Sequence, residues 1–198
     1  MAFETLPSAP AGLSSPGTAR SRLRQATAAD HAAVDKAYSA FDLSKASDYR
    51  TFLDAQYGCL SPLEDALTAG GAAEVIADWP SRRRAALIRA DLDDLNAPAR
   101  AERSAPLTPA LHGAGAVLGS LYVLEGSRFG GSVLARRVAA GLPTRFLSAG
   151  SAPEAWRSLM LAMDRHLASE KAFADAVAAA RAVFAIFEAA VLPAGVKA

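Results

Sequence analysis

The chain has 198 residues, of which 52% are hydrophobic and 21% charged, a balance that suits one globular domain with a sizeable core. Its formal net charge of +1 leaves no bulk field to recruit nucleic acid or an anionic membrane. Cys59 is the single cysteine, which excludes an intramolecular disulfide and favours a reducing compartment. No stretch is apolar enough to span a membrane and no secretory signal is recognisable, so we expect a cytoplasmic protein.

The pattern along the chain predicts helices throughout. A segment rich in Pro, Ser and Gly predicts a disordered tail over 1–18, followed by one helical domain over 19–198. No stretch alternates apolar and polar residues as a strand does, so the predicted fold class is all-α. Helices are predicted over 19–40, from Ser47 to Gly70-Gly71, over 73–79, from Pro80 to about Asn96, from Thr108 to Ala140 with Gly141 as its cap, from Pro153 to Leu167, and from Ser169 to Pro193.

The predicted helix over 108–140 is interrupted by glycines, each of which costs about 1 kcal/mol in a helix interior relative to alanine. The helical period places four glycines and one tyrosine in one sector: Gly115, Gly119, Tyr122, Gly126 and Gly130. A face without side chains allows close approach either of another helix, for which Gly126 and Gly130 have a suitable spacing, or of a flat ligand. The spacing alone leaves both alternatives open.

The predicted helix over 19–40 has a histidine on its apolar stripe, which consists of Leu23, Thr27, His31, Val34 and Tyr38. We therefore expect His31 to face the core, where a histidine is commonly an ordinary hydrogen-bonded residue. Asp35 lies one turn further on; its carboxylate can accept the Nδ1–H and leave Nε2 to bind a metal, or make a plain helix-surface contact. Arg24 lies about 10 Å before His31, where it can hold an acidic side arm of a metal macrocycle or be a solvated surface charge.

The lack of a second histidine at helical spacing from His31 favours heme over a zinc or non-heme iron site. His112 and His166 form no pair at helical spacing with each other or with His31, and no HExxH motif is present. Heme needs one axial imidazole and an open surface of small residues opposite, which leaves room for O₂ on the second axial position.

Five segments carry a family resemblance: LRQATAADHAAVD at 23–35, FDLSKASDYRTFLDAQYG at 41–58, DWPSRRRAAL at 78–87, LGSLYVLEGSRFGG at 118–131 and ARAVFAIFEAA at 180–190. In order and spacing they resemble the bacterial biliverdin-producing heme oxygenases. The resemblance implies an enzyme that uses O₂ and a reductant to cleave heme, its substrate and cofactor, to biliverdin, ferrous iron and carbon monoxide. It also implies an external electron donor, a ferredoxin or a reductase, because no GxGxxG motif is present.

The resemblance implies a role for each site residue. His31 would be the proximal ligand to the heme iron, with the Asp35 carboxylate behind it. Gly126 and Gly130 would lie on a kinked distal helix whose backbone covers the heme. The remaining candidates for heme binding are Arg24, Thr27, Gly119 and Tyr122, with Phe184 on the distal side and Arg157 as a second contact to a propionate.

Ser127 follows the first distal glycine, where the animal enzymes have an aspartate that organises a water network. A serine hydroxyl can join such a chain, so Gly126, Ser127 and Gly130 are the candidate catalytic residues. Arg128 is expected to be a surface charge. Phe184, Phe187 and Tyr38 can alternatively be ordinary core residues.

Two other functions remain open at this point. The same scaffold could bind or sense heme without turning it over, and only biliverdin formation after addition of a reductant would distinguish the two. Alternatively, the glycine face could pack against another helix in an interaction module, which would give no Soret band when heme is added.

Overall fold

The structure, a computed structural model, describes residues 17–96, 111–150 and 152–192, and these residues form ten helices and no strand. The helices are α1 (Ala19–Ala26), α2 (Ala28–Tyr38), α3 (Ala46–Ala69), α4 (Ala72–Val75), α5 (Trp79–Arg82), α6 (Ala85–Asp94), α7 (Gly113–Ala135), α8 (Arg145–Ser148), α9 (Pro153–His166) and α10 (Glu170–Val191). The predicted all-α class is confirmed. Most of the predicted tail and the Thr108-Pro109 pair lie outside the described residues, but Thr18 is the N-cap of α1. The predicted helix start near Thr108 is wrong, because α7 begins at Gly113, directly after the extended backbone of His112.

The prediction of a single helix over 19–40 is wrong, because the helix is interrupted at Thr27. The backbone of Thr27 leaves the helical region, with φ −114° and ψ 11°, and its hydroxyl donates to the Leu23 carbonyl at 2.9 Å. A threonine hydroxyl that bonds to the preceding turn competes with the helix ladder. Arg181 of α10 donates to the Ala26 carbonyl at 2.8 Å, which satisfies a carbonyl group at the end of α1.

Further helix boundaries differ from the prediction. The helix predicted over 73–79 is shorter, because α4 ends at Val75 and the backbone of Ile76 is extended. The helix predicted from Pro80 is split into α5 and α6, because Glu64 of α3 accepts the backbone N–H groups of Arg84 and Ala85 where α6 begins. Helix α7 ends at Ala135, before the predicted end at Ala140, and the Ala139 N–H donates to the Leu43 carbonyl of another segment.

Helix α7 packs on α10 through glycines. A Cβ at Gly115 would lie 2.5 Å from the Ala172 carbonyl oxygen, and a Cβ at Gly119 would overlap the backbone of Ala176. Only glycine fits at these two positions, so the helix-packing alternative is correct for this half of the stripe. Gly126 is different, because no described atom outside its own stretch of helix lies within 4 Å of the position that its Cβ would take.

Helices α1, α2, α7 and α10 run in the same direction along one another. The contacts of α7 on α10 ascend together, Gly115 with Ala172 and then Gly119 with Ala176. The contacts of α1 and α2 on α10 ascend in the same way: Arg22 with Glu170, Ala26 with Arg181, and His31 with Phe184. Helix α10 is therefore a common support for α2 and α7.

Helix α2 is unusual in this fold because none of its 11 residues is buried. The buried core is formed mainly by side chains of α3, α7, α9 and α10. Within the described ranges, no helix is both long enough and apolar enough to cross a membrane.

Substitution by alanine should change the free energy of unfolding in opposite directions at the packed and the open glycines of α7. Gly119→Ala is expected to lower the free energy of unfolding by about 1–3 kcal/mol, because the new Cβ overlaps the α10 backbone. Gly126→Ala is expected to raise it by about 0.5–1 kcal/mol, because alanine is the better helix former and meets no neighbour. Urea unfolding of the two variants measures both changes, and shifts of the same sign would contradict this division of the stripe.

Candidate functional site

His31 lies on α2 with its side chain 57% exposed, so the expectation that it faces the core is wrong. The break at Thr27 separates α2 from the stripe of α1, and α2 then lies on the surface of α10. The Nδ1 atom of His31 is 3.0 Å from the Asp35 carboxylate, as the spacing predicts. The imidazole also stands edge-on to the ring of Phe184, with centroids 5.7 Å apart. Phe184, expected on the side of α7, thus has its ring against the histidine.

Asp35 controls both the protonation and the orientation of this imidazole. Its hydrogen bond raises the pKa of His31, while partial burial and the charge of Arg24 oppose that change. In the neutral ring, a proton held on Nδ1 leaves the lone pair on Nε2. No described residue is hydrogen-bonded to Nε2, so this nitrogen is the one that can bind a metal.

A polar cluster joins α7 to the junction between α1 and α2. The Tyr122 hydroxyl is hydrogen-bonded to Thr27, and the positive charges of Arg20 and Arg24 lower the pKa of Tyr122 against the larger, opposite effect of its burial. Arg20 is only 5% exposed, and its guanidinium lies 5.4 Å from the centre of the Trp156 ring. Arg20 was missed in the sequence analysis, although it precedes Arg24 by one turn of α1.

The cluster sets the relative positions of His31 and Gly126. His31 follows Thr27 by four residues, and Gly126 follows Tyr122 by four residues. Because α2 and α7 run in the same direction on α10, both residues lie one turn beyond the contact between Thr27 and Tyr122. The imidazole and the open glycine are therefore level with each other along α10.

Three predicted residues lie differently from this group. Gly119 packs against α10, so its missing side chain makes room for a helix. It does not form a surface for a ligand together with Gly126. Arg157 is exposed on α9, beside the inward-facing Trp156, and forms no hydrogen bond or ion pair with the described residues of the cluster. Gly130 is half-buried one turn beyond Gly126 and stays a prediction, as does the kink of the helix.

Arg128 is not the surface charge that the sequence predicts. It is 9% exposed, its Nε donates to the Glu125 carboxylate at 3.0 Å, and its Nη1 donates to the Ala149 carbonyl at 3.1 Å. The side chain points behind α7, where Glu125 also pairs with Arg82 at 3.4 Å. Arg128 therefore forms part of a buried ion-pair group that holds α7 from behind.

The structure is that of an all-helical protein with a histidine that can bind a metal and an open glycine on two helices that pack on α10. Comparison with known proteins shows which family has this fold. The family model for heme oxygenase matches residues 18–192. A protein named heme oxygenase from Xanthomonas campestris pv. campestris (strain 8004) is 33% identical over 148 residues, which cover 72% of this chain and 87% of that protein. This chain belongs to the heme oxygenase family.

The solved structures include one with the same fold. The NO- and CO-bound heme oxygenase from Neisseria meningitidis matches with a TM-score of 0.75 at 22% identity, covering 90% of this chain and 95% of that one. The family and the fold class expected from the sequence are confirmed, and with the family the chain is identified as an enzyme.

Asp35→Asn should lower the pKa of His31 in the heme-free protein, because the Asp35 hydrogen bond is the main cause that raises it. A raised histidine pKa adds stability below the ordinary value of about 6.5, and this gain is lost as the pH rises through the raised value. The variant should therefore be less stable than the wild type at acid pH and equally stable at alkaline pH. NMR titration of the His31 ring proton, with His112 and His166 as internal controls, checks the shift, and an unchanged midpoint would refute it.

Proposed function

We propose that this chain binds heme between α2 and α7 and cleaves it, with O₂ and electrons from an external donor, to biliverdin, ferrous iron and carbon monoxide. One observation carries the proposal. An imidazole oriented by Asp35 and an open glycine lie on two helices that both pack on α10, each one turn beyond a cluster of arginine, threonine and tyrosine side chains.

The residues present fit the chemistry of heme. The ring needs an axial nitrogen, for which the Nε2 of His31 is suited. Its two carboxylates need cations and hydroxyl donors, which Arg20, Arg24 and Tyr122 provide together. Its flat face needs a wall without side chains, and Gly126 offers one.

When bound, heme supplies the iron that activates O₂ against the edge of its own ring. His31 holds that iron in place, and Asp35 keeps the imidazole in the tautomer whose Nε2 can bind and makes that nitrogen more basic. Arg24 and Tyr122 hold the carboxylate edge and so fix which edge of the ring points into the protein, and Thr27, whose hydroxyl proton is used on the Leu23 carbonyl, positions the tyrosine. We include Arg20 in this group because its charge acts on the same tyrosine.

Gly126 acts through its lack of a side chain. Its backbone would allow the bound ring to approach closely, would leave space for a small molecule on that face, and would restrict the directions in which that molecule can lie. We assign to Gly130 the same role one turn further on. The donor of electrons is a ferredoxin or a reductase, and we place the reaction in the cytoplasm, where the buried free thiol of Cys59 would stay reduced.

His31→Ala should remove the axial ligand. We expect the ferric heme complex to lose its histidine-ligated spectrum and the rate of biliverdin formation to fall by at least about tenfold, since even residues that only support a ligand cost about 10–100-fold. The control is His166→Ala, at the exposed end of α9. A wild-type spectrum and rate in His31→Ala would exclude His31 as the ligand.

Gly126→Leu should obstruct the face of the ring opposite His31. The isobutyl group occupies the space that is open at Gly126, so we expect weaker heme binding and loss of turnover measured by absorbance. Gly58→Leu is the matched control, because Gly58 is also a helical glycine with no atom within 4 Å of its Cβ position but lies on α3. Full turnover in Gly126→Leu would contradict the assignment of the glycine wall.

A further inference from the structure

A buried arginine lies behind the turn of α7 that contains Gly126. Arg84, in the turn between α5 and α6, uses its Nη2 to donate to the Leu124 carbonyl at 2.8 Å and to the Ser127 hydroxyl at 2.9 Å. The Ser127 hydroxyl donates in turn to the same carbonyl at 2.7 Å. The three groups form a closed triangle across residues 124–127, and Gly126 is part of that turn.

Arg84 is itself firmly held, so it can act as a fixed support. Its backbone N–H donates to the Glu64 carboxylate of α3 at 2.5 Å, and its guanidinium lies 5.1 Å from the centre of the Phe146 ring of α8. Burial lowers the pKa of Arg84 to about 9, which still leaves the side chain charged at neutral pH. Hydrogen bonds from a charged donor are stronger than those between neutral groups.

The triangle also determines what Ser127 can do. A hydroxyl has a single proton, and that of Ser127 is directed to the Leu124 carbonyl while its oxygen accepts from Arg84. A serine that donates to a carbonyl of the preceding turn tends to bend the helix. The hydroxyl therefore acts on the shape of α7 rather than as a free donor to a ligand.

We propose that Arg84 and Ser127 are positioning residues that fasten the turn around Gly126 from behind, so that its backbone faces the heme at a fixed distance. Gly126 has no side chain and no neighbour on its open side, and glycine restricts the backbone least of all residues. The order of this turn thus depends on the contacts behind it. The role of the pair toward heme rests on the proposed function, whereas the fastening of the turn exists in the heme-free protein.

The first test measures amide hydrogen exchange of the heme-free protein at residues 124–128, with the amides of 176–180 in α10 as reference. In Arg84→Met, exchange at 124–128 is expected to become at least about tenfold faster, because bonds from a charged donor are lost. Ser127→Ala should show a smaller increase, and Arg84→Lys, which keeps one charged donor, should recover part of the protection. Equal acceleration in both helices, or none, would overturn the proposal.

The second test measures the C–O stretching band of the ferrous heme complex with carbon monoxide, which reports on the wall facing the bound gas. Arg84→Met should shift and broaden the band, Arg84→Lys should restore it, and Arg89→Met, an exposed arginine of α6, should leave it unchanged. Faster exchange without any change in the band would disprove the positioning role. If the wild type forms no heme complex, the proposed function fails, and the exchange data alone decide whether the turn is fastened.

Discussion

The site depends on the close contact between the backbones of α7 and α10, which glycines make possible. At Gly115 and Gly119 the two backbones are so close that a shift by one residue would force a side chain into the opposite helix. This fixes the register of α7. The same α10 carries Arg181 and Phe184, which contact the α1–α2 junction and His31, so it also fixes α2. The two walls of the proposed site are thus aligned by one shared helix.

The glycines of α7 therefore do two different things. Gly115 and Gly119, and Gly131 against the Leu147 carbonyl of α8, allow packing that larger residues would prevent. Gly126 gains no such packing, although a glycine inside a helix costs about 1 kcal/mol relative to alanine. We attribute this cost to the bare wall that the proposed heme site needs, and the polar contacts of Arg84 and Ser127 on the other side of the turn compensate for the freedom that the glycine introduces.

Much of the site follows from the sequence because it depends on spacing within one helix. The pairing of His31 with Asp35 is of this kind, and the residues that identify the family are local as well. The break at Thr27 is not, since the apolar stripe continues across it and only the hydroxyl contact to Leu23 reveals it. For the same reason the exposure of His31 could not be foreseen.

Other features depend on which neighbour a helix face meets, and periodicity gives the face but not the neighbour. It could not separate Gly119, which meets α10, from Gly126, which meets nothing. Charged residues read as surface by default, so the buried positions of Arg84 and Arg128 were not predictable. Their partners, Glu64 and Glu125, come from other segments or from the hidden side of α7.

A crystal structure of the complex with ferric heme tests the central claim most directly. We predict that the iron is bonded to Nε2 of His31 while Nδ1 keeps its contact with Asp35, and that the backbone of Gly126 covers the opposite face of the ring. Iron bonded to His112 or His166, or a ring that lies outside the space between α2 and α7, would contradict the account.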